Sequence, residues 1–182
     1  MRTVGIDYSL SSPCICINSG AEFNITNCSF HYLTSTKKYE GVWRQNVDIT
    51  GNLHTIFTSD EQRYNLITNW VLGLLEENDV ICIEGYSMAS TGRVFNIAEN
   101  AGLLKHYLWK NKFKFSVVPP TVIKKFATGK GNANKEKLQE SFVQETEVNI
   151  KQILNMTEKQ WNPSSDIIDS YYLCKYGAQK NV

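Results

Sequence analysis

The sequence predicts an α/β fold in which a mixed β-sheet is covered by helices, and three observations predict it. The N-terminal part carries consecutive short strand patterns joined by turn residues, which reads as an antiparallel meander. The remainder alternates helical periodicity with short apolar runs, the pattern of helix-linked parallel strands. No repeat, low-complexity tract or linker interrupts the 182 residues, so one domain spanning 1–182 is expected.

In the first strand Val4 and Ile6 alternate with Gly5 and Asp7. One face is buried, and Asp7 sits on the other, at the strand's end, before the turn-forming run Ser9-Leu10-Ser11-Ser12-Pro13. Cys14-Ile15-Cys16-Ile17 is a second, apolar strand, closed by Asn18-Ser19-Gly20. Glu22 to Leu33 supplies a third, with Phe23, Ile25, Phe30 and Tyr32. Residues 34–59 are polar, lack clear periodicity and contain Gly41 and Gly51, so they read as a long surface loop.

Helical spacing begins at Asp60 or Glu61 and runs to Glu77, through Tyr64, Ile67, Val71, Leu74 and Leu75. Asp79-Val80-Ile81-Cys82-Ile83-Glu84-Gly85 is a short apolar run bounded by polar residues, the signature of a buried parallel strand that, like the first, ends in an acid. Residues 91–110 form an amphipathic helix, and Phe113 to Val118 a strand that stops at Pro119-Pro120. Thr121 to Phe126 reads as a helical turn, and residues 134–145 as a helix after a two-glycine loop. Residues 146–161 stay ambiguous; Asn162 and Pro163 read as N-cap and first residue of a closing helix that Gly177 ends.

Hydrophobic residues at 42% and charged residues at 20% are ordinary for a soluble globular protein. No apolar run approaches the ~18 residues of a membrane span, and no signal peptide is visible, so the expected location is the cytoplasm. Five cysteines without a Cys-x-x-Cys pair argue for apolar core roles, and His31, His54 and His106 complete no zinc set. Lysines crowd residues 103–137 against the single acid Glu136, whereas residues 60–84 are acidic. That asymmetry suits a basic face for a polyanion, although lysines also simply solvate helices.

The acids carry the chemistry. Asp166 and Asp169, three residues apart, share one helix face. Each acid also has a plain structural reading, turn chemistry at a strand end or a favourable charge in a first helical turn. Gathered with Asp7 and Glu84, however, they would repel one another unless a cation neutralised them. An all-oxygen set suits two Mg²⁺ or Mn²⁺ ions bridging a phosphodiester.

Gly5-Ile6-Asp7, Ile83-Glu84, the run Thr128-Gly129-Lys130-Gly131-Asn132-Ala133-Asn134-Lys135 and Asp166-Ile167-Ile168-Asp169 together resemble the RuvC family of Holliday junction resolvases. The motifs occur in the family's order from residue 3 to residue 175, and the glycine-lysine run coupled to a late Asp-x-x-Asp is the specific part. The resemblance implies a ribonuclease H-like fold with a five-stranded mixed sheet of order 3-2-1-4-5. It implies a homodimer that makes paired symmetric nicks across a four-way DNA junction. Carried over by position, Asp7, Glu84, Asp166 and Asp169 would bind the metal, and Lys125 (or its neighbour Lys124) and Lys135 would stand at the scissile phosphate. DNA contacts are implied at Tyr86, Ser87, Arg93, Lys124, Lys130, Asn132 and Lys135.

Two departures stand out. The family often has a junction-stacking aromatic three positions after the second acid, where this chain has Ser87, with Tyr86 one residue before. The polar stretch before the Asp60 helix is also longer than the family's. Both would fit a divergent, phage-encoded member, located in the host cytoplasm. Alternatives are a related nuclease acting on RNA, flaps or forks, and a junction-binding scaffold without catalysis. An actin-like kinase or ATPase, which shares the Gly-Ile-Asp start, would need a second lobe for which 182 residues leave no room.

Overall fold

Strand β1, Thr3–Asp7, lies inside a mixed sheet in a computed structural model that describes residues 2–85 and 94–180. It is succeeded by β2 (Cys14–Asn18), β3 (Cys28–Thr34), β4 (Gly41–Arg44), β5 (Asp48–Leu53), β6 (Val80–Glu84) and β7 (Lys114–Val118). The helices are α1 (Asp60–Leu72), α2 (Val94–Lys110), α3 (Pro120–Thr128), α4 (Lys135–Thr146), the single turn α5 (Ile150–Ile153) and α6 (Ser164–Lys180). No helix among the described residues is long and apolar enough to cross a membrane.

The sheet has seven strands in the order β4-β5-β3-β2-β1-β6-β7. The expected five-stranded order is present within it as β3-β2-β1-β6-β7, with β1 antiparallel to β2, β2 to β3, and β1, β6 and β7 parallel. The correction is at one edge. Residues 34–59, expected as loop, contain β4 and β5, with β5 parallel to β3 and β4 antiparallel on the outside. Gly51, which weakens the strand pattern, is there because its neighbours leave no room for a side chain. A Cβ at Gly51 would lie 2.3 Å from the Tyr39 carbonyl oxygen and 2.6 Å from the Tyr32 hydroxyl, which itself donates to that carbonyl at 2.7 Å.

Side-chain alternation divides the core into two layers. Val4, Ile6, Ile15, Ile17, Ile81 and Ile83 face α1 and α2, with Ile67, Val71, Leu104 and Leu108 packed on them. The opposite face carries small residues: Gly5 on β1, Cys14 and Cys16 on β2, and Cys82 on β6. Helix α6 lies on that thin face. The Cys174 thiol donates to the Thr3 carbonyl at 3.1 Å, while Ser170 Oγ lies 3.4 Å from Cys14 Sγ, and Cys14 pairs with Asp7. The helix therefore runs against β1, its first turns at the carboxyl end of the strand.

Several boundaries differ from expectation. The third strand starts at Cys28, because residues 25–27 form a 3-10 turn capped by Asn24, whose side chain accepts from Thr26 N–H. Helix α1 ends at Leu72 before Gly73, and Asp79 organises the approach to β6 by accepting from Glu76 N–H at 2.8 Å and pairing with Arg2 at 3.4 Å. Helix α3 extends to Thr128, closed by Gly129 at φ 78°. Gly177 does not end α6, which continues to Lys180. Its missing side chain brings the helix near the sheet instead: a Cβ there would lie 3.2 Å from Cys82 Cβ and Thr3 Cγ2. Asn162 is not the cap of α6, whose first residue is Ser164, and its side chain bonds Asp166 instead.

Candidate active site

The register of the sheet brings the first two acids together. Ile6 of β1 pairs with Ile83 of β6, so the next residues, Asp7 and Glu84, are neighbours at the carboxyl ends of adjacent parallel strands. Both share the face of Gly5 and Cys82, the face covered by α6. Tyr8 turns to the other side, and its hydroxyl lies 2.9 Å from Thr68 Oγ1 of α1 and donates to Asn100 Oδ1 of α2 at 3.2 Å. The strand end that carries Asp7 is thereby pinned between two helices.

Helix α6 supplies Asp166 and Asp169 from its first turns, where the macrodipole favours negative charge. Asp166 is buried; Asp7, Glu84 and Asp169 are partly exposed. Burial, more than any neighbour, pushes the Asp7 carboxyl well above its ordinary value of 3.8, and the charges of Glu84, Asp166 and Asp169 push it further. Burial first and the Asp169 charge second raise Glu84 to about 7. Asp166 is raised to about 7 by burial, against the pull of a hydrogen bond from Ser12, and Asp169 to about 6, again chiefly by burial. Each of Asp7, Glu84 and Asp166 thus feels other members of the set.

Two lysines oppose this charge. Lys135 lowers the pKa of Asp7, Asp166 and Asp169, and Lys124 lowers that of Glu84 and Asp169. Of the two adjacent lysines of α3, it is therefore Lys124 whose charge reaches the acids. Lys125, one position on and about 100° round the helix, is exposed. Lys130 and Asn132 are exposed in the turn between α3 and α4. That turn is organised by Thr128, whose Oγ1 donates to the Lys124 carbonyl at 2.8 Å and accepts from Lys130 N–H at 3.2 Å. Tyr86, Ser87 and Arg93 lie outside the described residues.

The residues that sequence reasoning misses are polar neighbours of Asp166. Asn162 Nδ2 donates to Asp166 Oδ2 at 2.8 Å, to Oδ1 at 3.1 Å and to Ser12 Oγ at 2.9 Å. Lys135 Nζ donates to Ser165 Oγ at 3.2 Å and to Asn162 Oδ1 at 3.4 Å. One amide thus links the turn after β1, the start of α4 and an acid of α6. The signal available in the sequence is the four-residue spacing of Asn162 and Asp166, in a place where an asparagine also reads as a helix cap.

The donor chemistry fits a hard divalent cation, since all four groups are carboxylates, and burial, joined by mutual repulsion at Asp7, Glu84 and Asp166, keeps their pKa values raised despite the charges of Lys124 and Lys135. Among the described residues, no three His, Cys, Asp or Glu side chains stand at ready-made metal-ligand spacing.

No protein-family model matches the chain, and no curated protein sequence matches it either. Solved structures do. The structure of Thermus thermophilus RuvC matches at TM-score 0.60 and 12% identity, covering 100% of this chain and 97% of that one. T. thermophilus RuvC in complex with a Holliday junction substrate matches at TM-score 0.59 and 12% identity, over 99% of this chain and 96% of that one. The fowlpox virus resolvase in complex with Holliday junction DNA aligns at TM-score 0.49 and 15% identity, over 100% and 99% of the two chains. With β3-β2-β1-β6-β7 at its centre and its whole length matched to 97% of RuvC, the chain has the ribonuclease H-like fold of RuvC.

Proposed function

We propose that the chain is a metal-dependent, structure-selective endonuclease that resolves four-way DNA junctions by hydrolysing phosphodiester bonds, acting as a homodimer that nicks symmetrically. The observation that carries this reading is the convergence of Asp7, Glu84, Asp166 and Asp169 from β1, β6 and α6, with Lys124 and Lys135 beside them, on a RuvC fold. A fold alone does not fix a substrate, so the acids and lysines bear the weight.

Two bound Mg²⁺ or Mn²⁺ ions would supply charge neutralisation at the phosphate and an activated water. The chain's own part is positional. Asp7 and Glu84 stand on strand ends fixed by the sheet register, so their carboxylates offer rigid oxygen donors. Asn162 grips both oxygens of Asp166 and so sets the orientation of that carboxylate. Lys124 and Lys135 hold the phosphate by point charge and stabilise negative charge as it develops.

The test is a labelled immobile four-way junction with Mg²⁺ or Mn²⁺, wild type beside Asp7→Asn. Paired symmetric nicks by the wild type alone are expected. Equal cutting of linear, flap, fork or RNA substrates would move the reading to a general ribonuclease H-like nuclease, and binding without cutting would leave a scaffold.

A further inference from the structure

We infer that a cleft between the β5–α1 loop and α1 is a subsite for a single unstacked nucleobase of the strand that leaves the acid site. The inference rests on the nuclease reading above and adds a binding site outside the acids. The cleft has a volume of about 190 Å³ and is lined by Leu33, Asn52, His54, Phe57, Arg63 and Trp70, among others. That is below the ~300–1,000 Å³ of sites for drug-sized ligands, and suits one ring system.

Its chemistry is that of base recognition. Phe57 and Trp70 offer aromatic surface, and the Arg63 guanidinium carbon lies 4.9 Å from the Phe57 ring centre. Asn52 brings an amide able to donate and accept. Arg63 lines the cleft, and its Nε is buried without a hydrogen-bond partner among the described residues, a donor that a turn of the guanidinium toward the cleft would present. A base carbonyl or ring nitrogen would satisfy it.

The topology places the cleft where DNA from the acid site can reach it. Strand β5 is parallel to β3, and β3 and β1 each run against β2, so Leu53 ends at the same edge of the sheet as Asp7. Three strand steps separate β5 from β1, about 14 Å at 4.8 Å per step. That is the length of roughly four stacked nucleotides, and fewer in an extended strand. The cleft is also tied to the loop after Asp7. Arg63 Nη2 donates to the Leu10 carbonyl at 2.8 Å, and His54 Nε2 to that of Ser11, also at 2.8 Å. The next residue, Ser12, accepts from Asn162.

The experiment uses the full-length chain with Asp7→Asn to prevent cutting, and junctions carrying 2-aminopurine singly at each of about six positions from the crossover, a span that covers the distance above. A fluorescence change is expected at one position about two to four nucleotides from the crossover. Phe57→Ala, at an exposed loop residue, should abolish that change and weaken binding about 5- to 150-fold, the range of a lost base–aromatic stack. Arg63→Lys keeps the charge but not the Nε donor, so affinity should fall with an unchanged salt slope. Binding and fluorescence left unaltered by both variants would overturn the subsite alone. Failure of the protein with its cleft unsubstituted to bind any branched DNA would overturn the nuclease reading itself.

Discussion

A Cβ on Gly5 of β1 would lie 2.2 Å from the carbonyl oxygen of Ser170 in α6, and equally close to the Cys174 amide nitrogen. Helix and strand touch backbone to backbone at this point, one turn from Asp166 and two residues from Asp7. Gly5→Ala should force α6 away from the sheet, costing about 1–3 kcal/mol or more in denaturant unfolding, and should depress cleavage further than the lost stability explains. Gly177→Ala meets side-chain atoms at 3.2 Å and gains helix propensity worth up to about 1 kcal/mol, so its unfolding midpoint should move far less.

Asp7→Asn should leave the fold intact and reduce junction cleavage by more than the ~10–100-fold typical of losing an outer partner of a metal ligand. The same change removes one of the mutually repelling charges. In chelator it should therefore raise the thermal midpoint, and an unchanged or lower midpoint would place Asp7 outside the coupled set.

Lys124→Ala and Lys125→Ala provide a paired test of position on one helix. Lys124 faces Glu84 and Asp169, and its loss should slow cleavage by about 10²-fold or more in single-turnover assays. Lys125 is exposed, and its loss should weaken DNA binding only as one phosphate contact does, visible as a salt slope smaller by about one. Reversed effects would return the role to Lys125.

Asn162→Ala removes the donor from both oxygens of Asp166 and from Ser12. Because Asn162 is exposed, stability should change little, while Mn²⁺ affinity measured by calorimetry should fall about 10- to 100-fold. Undiminished affinity would make the amide a local loop contact.

The pH dependence of the metal-free protein is set by the raised carboxylates. Folded values of about 7 for Glu84 and Asp166 and about 6 for Asp169 exceed the ordinary 4.5 and 3.8, so the folded form holds protons that the unfolded form has lost. Stability then falls as pH rises. For these three groups the loss begins near pH 4, about the ordinary carboxylate values, and is complete above the folded values of about 7, and Asp7, also raised, contributes in the same direction. Thermal midpoints in chelator should decline across that window, and saturating Mg²⁺ or Mn²⁺ should flatten the decline; a midpoint that rises instead would mean the carboxylates ionise freely.

What the sequence by itself determined is periodic and local. Alternation in Val4-Gly5-Ile6-Asp7 and the apolar run before Glu84 marked both acid-bearing strands, and three-residue spacing put Asp166 and Asp169 on one face. The order of these motifs was enough to imply the central five strands. Tertiary structure decided what depends on neighbours distant in the chain. Strands β4 and β5 are hidden in the sequence because Gly41 and Gly51 weaken strand propensity, and only the Tyr32 and Tyr39 contacts show why Gly51 is required. That the charge of Lys124 reaches Glu84 and Asp169 while Lys125 is exposed needed the rotation of α3 about its axis, which two adjacent lysines do not reveal. Asn162 reads as a helix cap because a capping amide and an amide that grips a carboxylate look identical in one dimension. The difference is that α6 rests on the glycine and cysteines of β1, β2 and β6, which brings Asp166 to meet Ser12, Asn162 and Lys135.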